Sequence, residues 1–170
     1  MLAAGTAFAD AAGGASGALY GVLLAETGAG LDGHGVGDIA PAALADAVDG
    51  AVRAFTALGG ARPGDKTMLD AIEPFRRALR EGADAAAPGA GPAEAAACWA
   101  QAAEQARHAA RATADLTPAK GRAARLAARS HGHPDPGATS FAHLVTAVSE
   151  AAGRSESSPA AAGQSTGGNR

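Results

Sequence analysis

Three short stretches combine glycine with small hydroxyl residues where a helical pattern is about to begin. They are Gly13-Gly14-Ala15-Ser16-Gly17, Gly64-Asp65-Lys66-Thr67-Met68 and Asp135-Pro136-Gly137-Ala138-Thr139-Ser140. Glycine allows close approach to the backbone, and the N–H groups at a helix start attract anions. Ser16, Thr67 and Thr139 add hydroxyl donors. One such loop is an ordinary helix cap, but three in a chain of 170 residues point toward a phosphate site. The basic residues nearby are Lys66, Lys120, Arg122, Arg125 and Arg129. They read either as a solvated helix face or, for one or two of them, as phosphate partners. Arg122 is favoured because it follows Gly121.

Other reactive residues carry less. His131, His133 and Asp135 are nitrogen and oxygen donors of a kind that suits zinc, but the histidines flank a glycine and no further ligand cluster accompanies them. A loop held by local hydrogen bonds is the simpler use. His34 sits in Leu31-Asp32-Gly33-His34-Gly35, which reads as a glycine-rich loop. The single Cys98 can form no internal disulfide and, beside Trp99 in an alanine-rich run, reads as a small core residue. Neither G-x-S-x-G nor G-x-x-x-x-G-K-[ST] is present, which removes the serine hydrolase and P-loop readings.

The elements that must position these loops are helices. The hydrophobic fraction is 47% with only 4% aromatic residues, so alanine dominates it. Alanine favours helix but buries little area, so alanine-rich helices must pack closely. A helix is predicted from Ala15 to Glu26, then a glycine-rich loop from Thr27 to Asp38. Asp38 is a candidate cap, and Pro41 a first-turn proline, for a helix whose buried stripe is Leu44, Val48, Val52 and Phe55. The next stripe is Met68, Ile72, Phe75 and Leu79, with a kink expected at Pro74. A linker from Gly82 to Pro92 precedes a long helix from Ala93 to Ala114 anchored by Trp99. Lys120 to Ser130 is helix-like, and a last helix presents Phe141, Leu144, Val145 and Val148. No strand is predicted, and residues 151–170 read as a disordered tail after one domain at 1–150.

Lys plus Arg total 14 against 17 for Asp plus Glu, a formal net charge of −3. That balance offers no footprint for nucleic acid and no basic cluster for an anionic membrane. No apolar run is long enough to span a bilayer, and no secretory leader is evident, so a cytoplasmic location is expected.

Four segments in order, Gly13 to Gly21, Ala61 to Ala71, Lys120 to Ala123 and Ser130 to Ser140, resemble the L subunit of dihydroxyacetone kinase, the DhaL family, over about Leu2 to Glu150. The resemblance implies an all-α antiparallel barrel of amphipathic helices with ADP at one end. It implies that Ala15 and Ser16 cradle the phosphates, that Gly59 and Met68 lie beside the nucleotide, Arg122 at its edge, and Asp135, Pro136 and Gly137 around it. The implied activity passes a phosphoryl group, from ATP or a phosphotransferase protein, to dihydroxyacetone held on the K subunit, in glycerol catabolism. The implied partners are that K subunit and, in phosphotransferase-linked versions, an M subunit.

The family also carries an aspartate-rich motif of the form G-D-G-D-H-G that holds magnesium. Nothing between Met1 and Gly13 supplies it, Asp10 being the one acid there. The barrel is therefore expected to be incomplete at its N-terminus, with apolar faces exposed and the metal ligands lying upstream of Met1. A helix start contributes about 0.3–1 kcal/mol to an anion, whereas bound metal supplies several kcal/mol to phosphoryl transfer. Weak nucleotide binding and impaired turnover follow as expectations. The alternative is a non-catalytic binding or regulatory module derived from this subunit.

Overall fold

The computed structural model describes residues 14–35, 37–119 and 130–156, together with Thr6, Ala7 and Asp10. Five helices are described: α1 Gly14–Gly30, α2 Pro41–Gly59, α3 Leu69–Ala85, α4 Pro92–Ala112 and α5 Pro136–Glu156, with a 3-10 turn at Thr113–Asp115 after α4. The all-helical expectation holds. Of the helix-like run expected from Lys120 to Ser130, residues 120–129, with Lys120, Arg122, Arg125 and Arg129, lie outside the described residues, as does Gly13. Of the tail expected at 151–170, residues 151–156 are instead the last turns of α5, and the rest lies outside the described residues.

Two boundaries differ from the sequence reading for one reason. Thr27 to Gly30 belongs to α1, where Thr27 donates its hydroxyl back to the Leu23 carbonyl at 2.7 Å. A Cβ at Gly30 would sit 2.8 Å from both Cα and Cβ of Ala47 in α2. Gly82 is likewise inside α3, where a Cβ would meet Cys98 Sγ of α4 at 3.0 Å. These glycines let alanine-rich helices touch, whereas the sequence reading took them as loop signals. Pro41 does open α2, but the cap is Ala40, which makes no side-chain hydrogen bond, and Asp38 does not serve. Helix α3 continues through Pro74 to Ala85.

The helices each pack against the next along the chain. Their common core contains Val48, Val52, Phe55, Ile72, Phe75 and Leu79. Cys98 is buried as expected, and burial pushes its thiol pKa up. Phe75 meets Trp99 and Phe141 edge-on, with ring centroids at 4.8 and 5.6 Å. The Trp99 indole N–H donates to the Val145 carbonyl at 2.8 Å, joining α4 to α5. All five helices line an apolar cavity of about 90 Å³, with Leu23, Val52, Ile72, Trp99 and Phe141 among its walls. Among the described residues, the large apolar side chains left exposed are Leu58 and Val148, two positions rather than a continuous face.

The outer seam between α2 and α3 is ionic. Asp49 accepts from Arg76 at 2.9 Å and from Arg80 at 2.7 Å, while Arg76 also reaches Glu73 at 2.6 Å. Burial alone would raise the Asp49 pKa, but the hydrogen bonds from Arg76 and Arg80 outweigh it and hold the carboxyl low. The bond from Arg76 does the same for Glu73. Both carboxylates therefore contribute stability that is present above the ordinary carboxylate range and is lost as pH falls through about 4 and below. Asp49→Asn is expected to cost about 1–2 kcal/mol at pH 7, within the range for hydrogen bonds to charged groups after allowance for partial exposure. Thermal melts from pH 3 to 7 should show a shallower acid limb in this variant. An unchanged limb would place the acid sensitivity elsewhere.

Candidate functional site

One end of the bundle gathers the start of α1, the end of α2, the loop from Gly60 to Met68, the 3-10 turn and the start of α5. Ala15 and Ser16 lie exposed in the first turn of α1, which carries no acidic residue there. Tyr20, one turn further on, shares a 2.6 Å hydrogen bond with Ser140 of α5. Ser140 donates to the Gly137 carbonyl at 2.9 Å, so the Tyr20 phenol is the donor in the shared bond. Burial raises the Tyr20 pKa, which keeps that phenol protonated. Gly59 lies at the end of α2, where a Cβ would be 3.4 Å from Leu19 of α1. Gly137 faces Met68 so closely that a Cβ would be 3.3 Å from the Met68 Cβ and 2.9 Å from Asp135 Oδ2. Pro136 is the first residue of α5 and is exposed.

Seven of the eight sequence-predicted residues therefore sit around one end of the fold. Arg122, the eighth, lies outside the described residues. The three loops, however, do not offer equivalent anion sites. The amides of Gly64 and Thr67 both donate to the Asp70 carboxylate, and Leu69 N donates to the Thr67 hydroxyl at 3.3 Å. The Thr67 loop is thus held by its own acid rather than presented to a ligand. Asp135 does the same for α5: its Oδ2 accepts from Ala138 N at 2.8 Å, and the Gly137 amide is a second donor to it. The Thr139 hydroxyl is turned back onto the Asp135 carbonyl at 2.8 Å. Neither α1 nor α5 has an acid within its first turn, but the first amides of α5 are already taken by the Asp135 carboxylate that precedes it.

Asp135 is 8% exposed. Burial pushes its carboxyl above the ordinary range, and the Ala138 and Gly137 amides pull it back. Asp70 adds repulsion and Lys66 attraction. The Asp135 amide donates to the Thr113 hydroxyl at 2.7 Å, which in turn donates to the Ala110 carbonyl at 2.6 Å. Sequence reasoning passed over Tyr20, Thr113 and Ser140. The signal for Tyr20 was available, since it is the single tyrosine and lies four residues from Ser16. The link from Thr113 to Asp135 spans 22 residues and leaves no local trace.

No group of three or more His, Cys, Asp or Glu side chains among the described residues is gathered closely enough to hold a metal ion. His131 and His133 stand exposed, and the His-His-Asp stretch forms no such group with its neighbours. The described residues therefore offer no ready-made set of three side-chain ligands for magnesium. No helix among them is long and apolar enough to cross a membrane.

The family model of the DAK2 domain matches residues 1–150. The chain belongs to the DAK2 domain family. As a DAK2 domain it is of the DhaL type, as the sequence resemblance implied. It is 47% identical over 150 residues to the L-erythrulose 1-kinase of Mycolicibacterium smegmatis, covering 88% of this chain and 24% of that enzyme. It is 36% identical over 107 residues to the ADP-binding subunit DhaL of the PEP-dependent dihydroxyacetone kinase of Escherichia coli, covering 63% of this chain and 46% of that subunit. The dihydroxyacetone kinase of C. freundii has a similar fold, with a TM-score of 0.57 at 23% identity, over 86% of this chain and 22% of that one. This DAK2 domain spans about a quarter of the length of the erythrulose kinases it matches.

Proposed function

We propose that this DAK2 domain binds ADP or ATP as the nucleotide-carrying part of a kinase for a short ketose. It passes the phosphoryl group to a substrate held by a K-type partner domain or subunit. The donor is ATP or a phosphotransferase protein, and magnesium is supplied by ligands other than the described residues. The higher identity to erythrulose kinases than to the dihydroxyacetone kinase subunit favours a four-carbon ketose over dihydroxyacetone.

The observation that carries this reading is the Tyr20–Ser140 hydrogen bond, which draws the Ser16 turn of α1 against the Gly137 turn of α5. Electrostatics then divides the nucleotide between the two turns. A helix start free of acidic residues favours phosphate, so the diphosphate belongs with Ala15 and Ser16. The α5 start already holds a carboxylate, which repels phosphate and suits the neutral nucleoside. Asp135, Pro136, Gly137, Met68 and Gly59 surround that part, and the family resemblance adds Arg122 to them. Phosphoryl transfer demands little covalent chemistry of the protein, and these residues act by holding the nucleotide in line.

Titration calorimetry with ADP and magnesium tests the reading. Heat of binding is expected for the unaltered chain, and Gly137→Val is expected to weaken it at least tenfold while leaving the helical circular dichroism intact. The added side chain has backbone and Met68 on one side and Asp135 on the other. No heat from the unaltered chain at high protein concentration would defeat the proposal.

A further inference from the structure

Lys66 is 2% exposed, yet it is a lysine at φ 57°, a backbone region that glycine adopts without cost. Its Nζ donates to the Leu116 carbonyl at 3.0 Å and to the Ser130 carbonyl at 2.7 Å. Those acceptors lie 50 and 64 residues away in the chain. Beside them, Ala119 N donates to the Asp65 carbonyl at 3.1 Å, and Gly132 N to the Ala114 carbonyl at 3.0 Å. Three separate loops thus meet around one buried ammonium, and Asp135 lies near enough to feel its charge. Burying an ammonium costs several kcal/mol unless it is well paired. A glycine would relax the backbone here and a leucine would fill the space, but neither could hold two carbonyls.

We propose that Lys66 is the positioning residue of the nucleotide end, fixing the Ser130–Gly137 loop against Met68 by gripping the Leu116 and Ser130 carbonyls from within. This rests on the nucleotide-binding reading above. Lys66 touches no ligand itself; it acts through the register of Gly137 on Met68.

The test is Lys66→Met, of similar length but with neither donor nor charge, followed by amide hydrogen exchange and by calorimetry with ADP and magnesium. Exchange is expected to quicken at least tenfold at 113–116 and 130–139 while the core amides of α2 and α3 keep their protection. ADP affinity is expected to fall at least tenfold. Asp49→Asn, at the distant ionic seam, is the control for general destabilisation and should leave ADP affinity unchanged. If Lys66→Met does not fold, Lys66→Gln, which keeps a shorter neutral donor, should show the same local pattern in milder form. Unaltered exchange at 130–139 overturns the proposal, as does loosened exchange with unchanged ADP affinity, or an affinity loss matched by Asp49→Asn. If the unaltered chain binds no ADP while Lys66→Met still loosens 130–139, the nucleotide reading falls and the organising role of Lys66 stands.

Discussion

Replacing Phe75 by alanine should cost about 3–5 kcal/mol, the range for a large aromatic removed from a core. Phe75 is 2% exposed and touches both Trp99 and Phe141. Its ring also walls the central cavity of about 90 Å³, so its loss enlarges an existing void that the rigid helices cannot readily close. Only 4% of residues are aromatic, and three of them meet at this junction between α3, α4 and α5. Domains are stable by about 5–15 kcal/mol in total, so this one substitution removes a large share of the fold's stability. Urea titration followed by circular dichroism measures it. A loss below about 1 kcal/mol would mean that alanine-to-alanine contacts, rather than the aromatic junction, hold the bundle.

Asp135→Ala should cost about 2–3 kcal/mol and weaken ADP binding, through two losses at one position. The first is the cap on Ala138 N, about 1 kcal/mol. The second is the further hydrogen bond from the Gly137 amide, which alanine would leave unsatisfied, about 1–2 kcal/mol more. Asp135→Asn retains a capping oxygen and sheds the desolvated charge, so it should cost much less. The pH dependence separates the two. Because the folded-state pKa of Asp135 is raised, its proton stabilises the fold fully below the ordinary aspartate range, and that contribution is lost as pH rises through the raised value. Asp135→Asn should remove this decline above about pH 4, opposite in direction to the acid limb set by Asp49 and Glu73. Melts of both variants from pH 3 to 7 would show it. An Asp135→Asn profile that parallels the unaltered chain would mean that Asp135 does not titrate differently in the fold.

The stripes Val48, Val52, Phe55 and Ile72, Phe75, Leu79 were readable because a buried helix face imposes its period on large side chains. Gly30 and Gly82 were misread because glycine looks the same in a turn as in a close helix contact, and only the facing Ala47 and Cys98 tell them apart. The grouping of Ala15, Ser16, Gly59, Met68 and Asp135 to Gly137 came from motif resemblance. No local rule brings residues 16 and 137 together.

What the order of residues settled was the helices, their buried faces and the family, because periodicity and motif spacing are local properties of the chain. What folding alone decided was the fate of the polar groups. Asp70 drew no notice and Asp135 read as a nucleotide neighbour or a loop ligand, but their hydrogen bonds show both closing glycine loops, two of the three. Lys66 read as a solvated cation or a phosphate partner until packing enclosed it between carbonyls 50 and 64 residues away. A polar side chain takes its role from partners distant in sequence, and only the packed structure names them.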